Sequence, residues 1–291
     1  MPSNAVGLQV ILKRLAPAKI NLGLHVLRRR PDGFHDLETV FLRLAWADEI
    51  TVRPTPQIML TCSDAALTTD ESNLVMKAAR LLADEMQVEA GAALHLDKHL
   101  PYGAGLGGGS SDAATTLRLL ADAWHLDVPE DTLHRLALTL GSDVPFFLGP
   151  EAAYATGRGE VLTPLRDPAT GEVYTLPFSL VVVVPPVHVN TAEAYRGVQP
   201  NDTNRPDLRA LVTSNYLDRW QRELVNDFEA SVFAAHPAIQ EVKEALLNAG
   251  ADYASMSGSG SAVFGVFEDD AKATAAAEAA RLTGHRVWHG A

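Results

Sequence analysis

From residue 19 to residue 27 apolar and polar positions alternate. Ile20, Leu22, Leu24 and Val26 fall on one side of an extended backbone, and Lys19, Asn21, Gly23 and His25 fall on the other. This predicts a strand with a core face and a face free for chemistry. Further strands are expected at 37–46, 49–53, 58–62, 92–97, 152–156, 178–184 and 262–267. Helices fall between them. Leu74, Ala78, Leu81, Leu82 and Met86 recur at helical spacing across 73–86, and Pro129 and Gly141 bracket a second helix over 129–140. Others are expected at 110–124, 237–248 and 270–282. The mixture reads as α+β. Polar stretches at 166–177 and 199–207 are expected to be exposed connections. Glycines at 157 and 159 interrupt a strand pattern, which places a domain boundary there and divides the chain into 1–158 and 159–291.

Composition narrows the class. Hydrophobic residues make up 47% and charged residues 21% of the 291, which excludes disorder, collagen-like repeats and coiled coil. The formal charge of −12 has the wrong sign for gripping nucleic acid along a whole surface and leaves room only for a local basic pocket. The one cysteine, Cys62, rules out an intrachain disulfide and a Cys-rich zinc site, and it fits a reducing compartment, with the cytoplasm expected. Residues 1–9 lack the basic and apolar regions of a secretory signal. The apolar run 180–184 lies between prolines 177 and 185 and falls far short of the roughly 20 residues of a membrane helix. No membrane association and no obligate protein partner are expected.

The strongest chemical signal is the run Pro101, Tyr102, Gly103, Ala104, Gly105, Leu106, Gly107, Gly108, Gly109, Ser110, Ser111, Asp112, set between a strand and an amphipathic helix. Glycines let successive backbone N–H groups turn toward an anion, and the helix that follows adds unpaired N–H groups and a positive dipole end. Phosphate is the natural guest. Ser110 and Ser111 are placed to cap the helix, and one hydroxyl can reach a phosphate oxygen or Mg²⁺. Gly103, Gly105 and Gly108 satisfy G-x-G-x-x-G, but a helix follows where a dinucleotide fold needs a second strand, and no lysine closes the run as a Walker loop requires.

This loop resembles the second motif of the GHMP kinases, the family of galactokinase, homoserine kinase, mevalonate kinase and phosphomevalonate kinase. Residues 16–22, Ala-Pro-Ala-Lys-Ile-Asn-Leu, resemble the family's first motif, and residues 256–260, Met-Ser-Gly-Ser-Gly, resemble its third, all in family order. The segments Pro-Asp-Gly-Phe-His-Asp-Leu at 31–37 and Gly-Ser-Asp-Val-Pro-Phe-Phe at 141–147, with two extra glycines in the loop, are similar to a branch of the family that acts on a cytidine diphosphate alcohol in non-mevalonate isoprenoid synthesis. Phe34 stands where that branch often has tyrosine. Asp112 stands where it often has asparagine, adding charge near the expected phosphate.

The resemblance implies an α+β, two-domain GHMP kinase fold with the active site in the interdomain cleft, and it implies ATP and Mg²⁺ as cofactors. It assigns Lys19 and Asp143 to catalysis, Asn73 and Lys98 to adenine, and Pro101 to Ser111 to the ATP phosphates. Phosphoryl transfer to an alcohol needs aligned substrates, charge stabilisation and a destination for the hydroxyl proton. Asp143 can take that proton, and an ammonium such as that of Lys19 would hold the carboxylate ionised. From the residues alone, Asp143 is equally a turn residue before Val144 and Pro145, Lys19 a solvated strand lysine, and 255–261 a loose hairpin turn.

For the cytidine end, the resemblance assigns Asn21 to the substrate, His35 to the base edge, Phe34 to the ring, and Thr191 and Tyr195 to the opposite side, with Tyr195 closing a sandwich on Phe34. A neutral imidazole both donates and accepts, which suits cytosine. His95 and His99 would lie about 13 Å apart on a strand, too far to share a metal ion. Two rivals stay open at this point: another GHMP kinase acting on a smaller alcohol or a phosphate, and a non-catalytic nucleotide-binding protein of the same fold.

Overall fold

The computed structural model describes residues 11–290; the expectation for residues 1–9 lies outside the described residues. The chain divides into two compact units that interleave along the sequence. One takes the chain up to Ala16 with Ala47–His99 and Gly109–Leu148; the other takes Pro17–Trp46, Leu100–Gly108 and everything from Gly149 onward.

Strand β1 (Leu12–Arg29) and strand β2 (His35–Thr55) each contribute to both units. In the first unit the far half of β2 pairs antiparallel with β4 (Gly91–Asp97), from Glu49 opposite Asp97 to Thr55 opposite Gly91, and β4 pairs parallel with β3 (Met59–Cys62). Helices α1 (Leu74–Met86), α2 (Gly108–Ala123) and α3 (Glu130–Leu140) bury their apolar faces in the same core, where Val75, Leu82, Leu117 and Leu136 join Ile50, Val52 and Leu94. Burying such side chains contributes about 1.5–3 kcal/mol each, which is what holds these helices to the strands.

In the second unit the near half of β2 pairs with β5 (Ala152–Thr156), which pairs with β6 (Val161–Pro164). A separate antiparallel sheet runs in the order β10 (Arg286–Gly290), β7 (Ser179–Val184), β9 (Val263–Phe267), β8 (Tyr253–Met256). Both faces of β7 are covered. Leu180, Val182 and Val184 enter one core with Ile20, Leu22 and Trp220, while Val181 and Val183 enter another with Ile239, Val242 and Ala277. That double burial explains the unbroken apolar run at 180–184. Helices α4 (Thr191–Gly197), α5 (Leu208–Thr213), α6 (Leu217–Glu223), α7 (Glu229–Ala235), α8 (Pro237–Asn248) and α9 (Asp270–Leu282) complete this unit.

Three sequence expectations change. The strands expected at 37–46 and 49–53 are one strand, because the Asp48 carboxylate between them is buried and satisfied rather than turned to solvent. Gly157 and Gly159, read as a domain boundary, form the tip of the β5–β6 hairpin inside one unit, at φ +70° and +104°. The face of β1 carrying Lys19, Asn21 and His25 is as buried as its apolar face, none of the three exceeding 4% exposure. Hydrogen-bond partners accompany that burial for Lys19 and Asn21, whereas neither ring nitrogen of His25 has one among the described residues.

Candidate active site

Three segments remote in sequence meet in the second unit. Lys19 N donates to Leu106 O at 2.9 Å, joining β1 to the glycine-rich loop. Ser257 Oγ donates to Gly105 O at 2.9 Å, and Ala262 N donates to Ala104 O at 3.0 Å, joining the same loop to the Ser257–Gly260 turn. Asn21 N in turn donates to Ser257 Oγ at 3.3 Å. Gly105 takes φ +78°, and a Cβ there would stand 2.1 Å from Ser257 O, so no larger residue fits. Ala104 and Leu106 anchor the loop in the core, while Tyr102 is exposed at its edge and Pro101 is partly exposed.

On the buried face of β1 the Lys19 ammonium donates to Asn21 Oδ1 at 2.7 Å and lies 5.0 Å above the Phe41 ring. Asn21 Nδ2 donates to Thr39 Oγ1, whose hydroxyl donates to Gly23 O. The relay fixes the position of a cation that a solvated strand lysine would not have. Sequence reasoning missed the groups beneath the third segment. Buried Asn226 donates through Nδ2 to Met256 O and Gly258 O, and Glu229 Oε1 accepts from Met256 N at 2.8 Å. No local pattern marks either residue; a polar pair within Asn-Asp-Phe-Glu reads as an ordinary turn.

In the first unit the loop's far end, Gly109, Ser110 and Ser111, already belongs to α2. The helix starts at Gly108, so Ser110 and Ser111 are not its caps, as the sequence suggested. Ser111 Oγ is buried and has no hydrogen-bond partner among the described residues. Asn73 caps α1, accepting from Val75 N at 2.9 Å, and donates to Thr68 O at 2.7 Å. Lys98, expected near adenine, has its ammonium between the carboxylates of Asp48 and Asp112, the latter at 2.9 Å. Asp112 is therefore not an uncompensated charge at the helix start. Burial pushes its carboxyl up to about 7, Lys98 opposing and Asp48 reinforcing the rise. Burial works against the Lys98 ammonium too, but the two carboxylates outweigh it and raise its pKa. Asp143 stands in the turn that leads into the 3₁₀ segment Val144–Leu148.

The residues assigned to the base lie in the second unit. Tyr195 sits on α4, whose N-cap Asn190 accepts from Ala192 N and Glu193 N. Its ring stacks on His35, with centroids 5.0 Å apart and planes 22° apart, and it meets Phe228 edge-on. Burial lowers the His35 pKa, helped by Arg29, which favours the neutral imidazole. Phe34 lies under the Arg158 guanidinium. Thr191 Oγ1 lies 3.1 Å from Ser259 Oγ, tying α4 to the third segment. His95 faces Thr61 Oγ1 and His99 faces Asp97. Among the described residues no group of three or more His, Cys, Asp or Glu is arranged to hold a metal by itself, and no helix is long and apolar enough to cross a membrane.

The residues present fit a nucleotide phosphate. Gly103, Gly105 and Gly107 all take positive φ, the start of α2 follows directly, and the partnerless Ser111 hydroxyl lies in its first turn. The family model described as GHMP kinases N terminal domain matches residues 73–149, and the one described as GHMP kinases C terminal matches residues 204–286. A 4-diphosphocytidyl-2-C-methyl-D-erythritol kinase of Salinibacter ruber is 56% identical over 262 residues, covering 90% of this chain and 92% of that protein. One from Prosthecochloris aestuarii is 47% identical over 268 residues, covering 90% and 91%. A crystal structure of 4-(cytidine 5'-diphospho)-2C-methyl-D-erythritol kinase superposes with a TM-score of 0.80 at 38% identity, covering 96% of this chain and 98% of that one. The chain belongs to the GHMP kinases, in the family of the 4-diphosphocytidyl-2-C-methyl-D-erythritol kinases.

Proposed function

We propose that the protein uses ATP to phosphorylate the 2-hydroxyl of 4-diphosphocytidyl-2-C-methyl-D-erythritol, a step in the non-mevalonate supply of isoprenoid precursors. The observation that carries this reading is the stitching of the Lys19 strand, the glycine-rich loop and the Ser257–Gly260 turn through Lys19 N, Ser257 Oγ and Asn21 N. A buried ammonium held beside a backbone shaped for phosphate is what phosphoryl transfer requires.

In this reading the loop from Pro101 to Ser111 holds the ATP phosphates, with the Ser111 hydroxyl taking a phosphate oxygen. Asn73 and Lys98 form the adenine side through their backbone, their side chains being engaged in capping and in the Asp48–Asp112 pair. Mg²⁺, within reach of a Ser110 or Ser111 hydroxyl, would neutralise charge on the phosphates when bound. Asp143 accepts the proton of the attacking hydroxyl, and Lys19 contacts the hydroxyl or the γ-phosphate. Asn21 orients the alcohol. His35 reads the cytosine edge with one nitrogen donating and the other accepting, and Phe34, Thr191 and Tyr195 enclose the base. The reaction is assigned to the cytoplasm, in keeping with the free thiol of Cys62.

Asp143→Ala tests the assignment of the base. Turnover should fall by about 10²–10⁴-fold while ATP binding, followed by titration calorimetry, stays intact. Near-normal turnover would remove Asp143 from the chemistry.

A further inference from the structure

At the end of the second unit that carries Phe34 and His35, the β5–β6 hairpin presents one side chain that the reaction above leaves without a role. Arg158 stands between Gly157 and Gly159, both in left-handed backbone. The hairpin tip is fixed. Gly159 N donates to Thr156 O at 3.0 Å, Arg158 N donates to Glu160 Oε2 at 2.5 Å, and Leu37 N donates to Gly157 O at 2.8 Å, two residues after His35. From this tip the guanidinium carbon lies 4.8 Å from the centroid of the Phe34 ring. Phe34 is 52% exposed, whereas the Arg158 side chain is only 29% exposed.

Ion pairing engages only part of the cation: Glu160 lies 3.4 Å from Nε, and the Arg158 charge also helps lower the Asp32 pKa. Arg28 and Arg30, close in sequence, are spent on Asp36 and Asp32 in short, well-aligned contacts. Arg158 makes a single 3.4 Å contact from Nε to Glu160, and its terminal nitrogens make no hydrogen bond among the described residues. An exposed phenylalanine on a turn is free to change rotamer. A planar cation held over one face by a rigid hairpin restricts the ring and leaves its other face for a second flat group.

We propose that Arg158 is a positioning residue for the cytidine end of the substrate, backing the Phe34 ring so that its free face is preset for the base. This rests on the reading of Phe34 and His35 as the base-recognising pair. A partly exposed cation–π contact of this kind corresponds to about a two- to five-fold change in affinity. Lysine, a point charge without a plane, substitutes poorly.

Titration of the full-length protein with cytidine and with CDP, together with steady-state kinetics on the complete substrate, tests the proposal. Arg158→Ala should weaken cytidine and CDP by the same factor of about two to five and raise KM for the cytidine substrate alike, with KM for ATP and kcat unchanged. Arg158→Lys should recover little of the loss. A loss confined to CDP would make Arg158 a phosphate contact and overturn the proposal, as would full recovery in Arg158→Lys or unaltered cytidine binding in Arg158→Ala. His35→Ala separates this inference from the reading beneath it. If His35→Ala weakens cytidine and Arg158→Ala does not, only the present proposal fails; if neither does, the base-recognition reading fails as well.

Discussion

Gly105→Ala would load the point where the glycine-rich loop and the Ser257 turn touch. The residue takes φ +78°, and an L side chain in that backbone costs about 1–2 kcal/mol. The added Cβ would stand 2.1 Å from Ser257 O, so one backbone segment must retreat by about 1 Å to reach even the closest tolerated approach. That retreat breaks the Ser257 Oγ to Gly105 O bond, and a buried bond left unmade costs about 1–3 kcal/mol. The total, about 2–5 kcal/mol, is a large share of the usual 5–15 kcal/mol of a folded protein.

Gly171→Ala is the matched control, since Gly171 has φ +74° and nothing within 4 Å of a built Cβ. It carries the backbone term without the contact. Urea unfolding of both variants should place Gly105→Ala about 1–3 kcal/mol below Gly171→Ala, and only Gly105→Ala should raise KM for ATP. Equal unfolding midpoints with unchanged KM for ATP would refute the idea that this contact shapes the nucleotide loop.

Two further outcomes concern buried polar groups. The Asp112 carboxyl titrates near 7 in the fold, against about 3.9 in an unfolded chain, so between those values the native state holds the extra proton and stability falls as pH rises. Asparagine cannot titrate, so the stability of Asp112→Asn relative to the parent should increase from about pH 5 to about pH 8 in urea titrations; a constant difference would show that Asp112 is ionised throughout. Asn226→Ala removes both donations to Met256 O and Gly258 O and the acceptor of Phe228 N, and should cost about 2–4 kcal/mol, lowering Tm by at least about 4 °C. An unchanged Tm would show that the third segment holds its shape without Asn226.

Much of this protein is legible where one element carries its own signals. Helix α8 begins at Pro237 and α9 follows the capping Asp269, and both match the bounds read from helical spacing, as does strand β5 at 152–156. The elements that escaped notice are short: β6 and β8 have four residues each, β10 five, α5 six, and α6 and α7 seven each. Their local patterns are too brief to separate from turns, and neighbours hold them in place, as Val263–Phe267 holds β8 by antiparallel pairing.

The candidate site divides in the same way. The order of residues alone determined the phosphate-shaped loop, the lysine-bearing strand and the family they resemble, because glycine freedom and strand alternation are local properties. Only the tertiary structure decided that Lys19 lies buried against Asn21, that Lys98 is held by Asp48 and Asp112, that Asn226 supports a turn thirty residues away, and that Arg158 covers Phe34. Each of these is a polar or charged group whose placement depends on a partner brought near by the topology. Sequence tells which groups need such partners, and the fold supplies them.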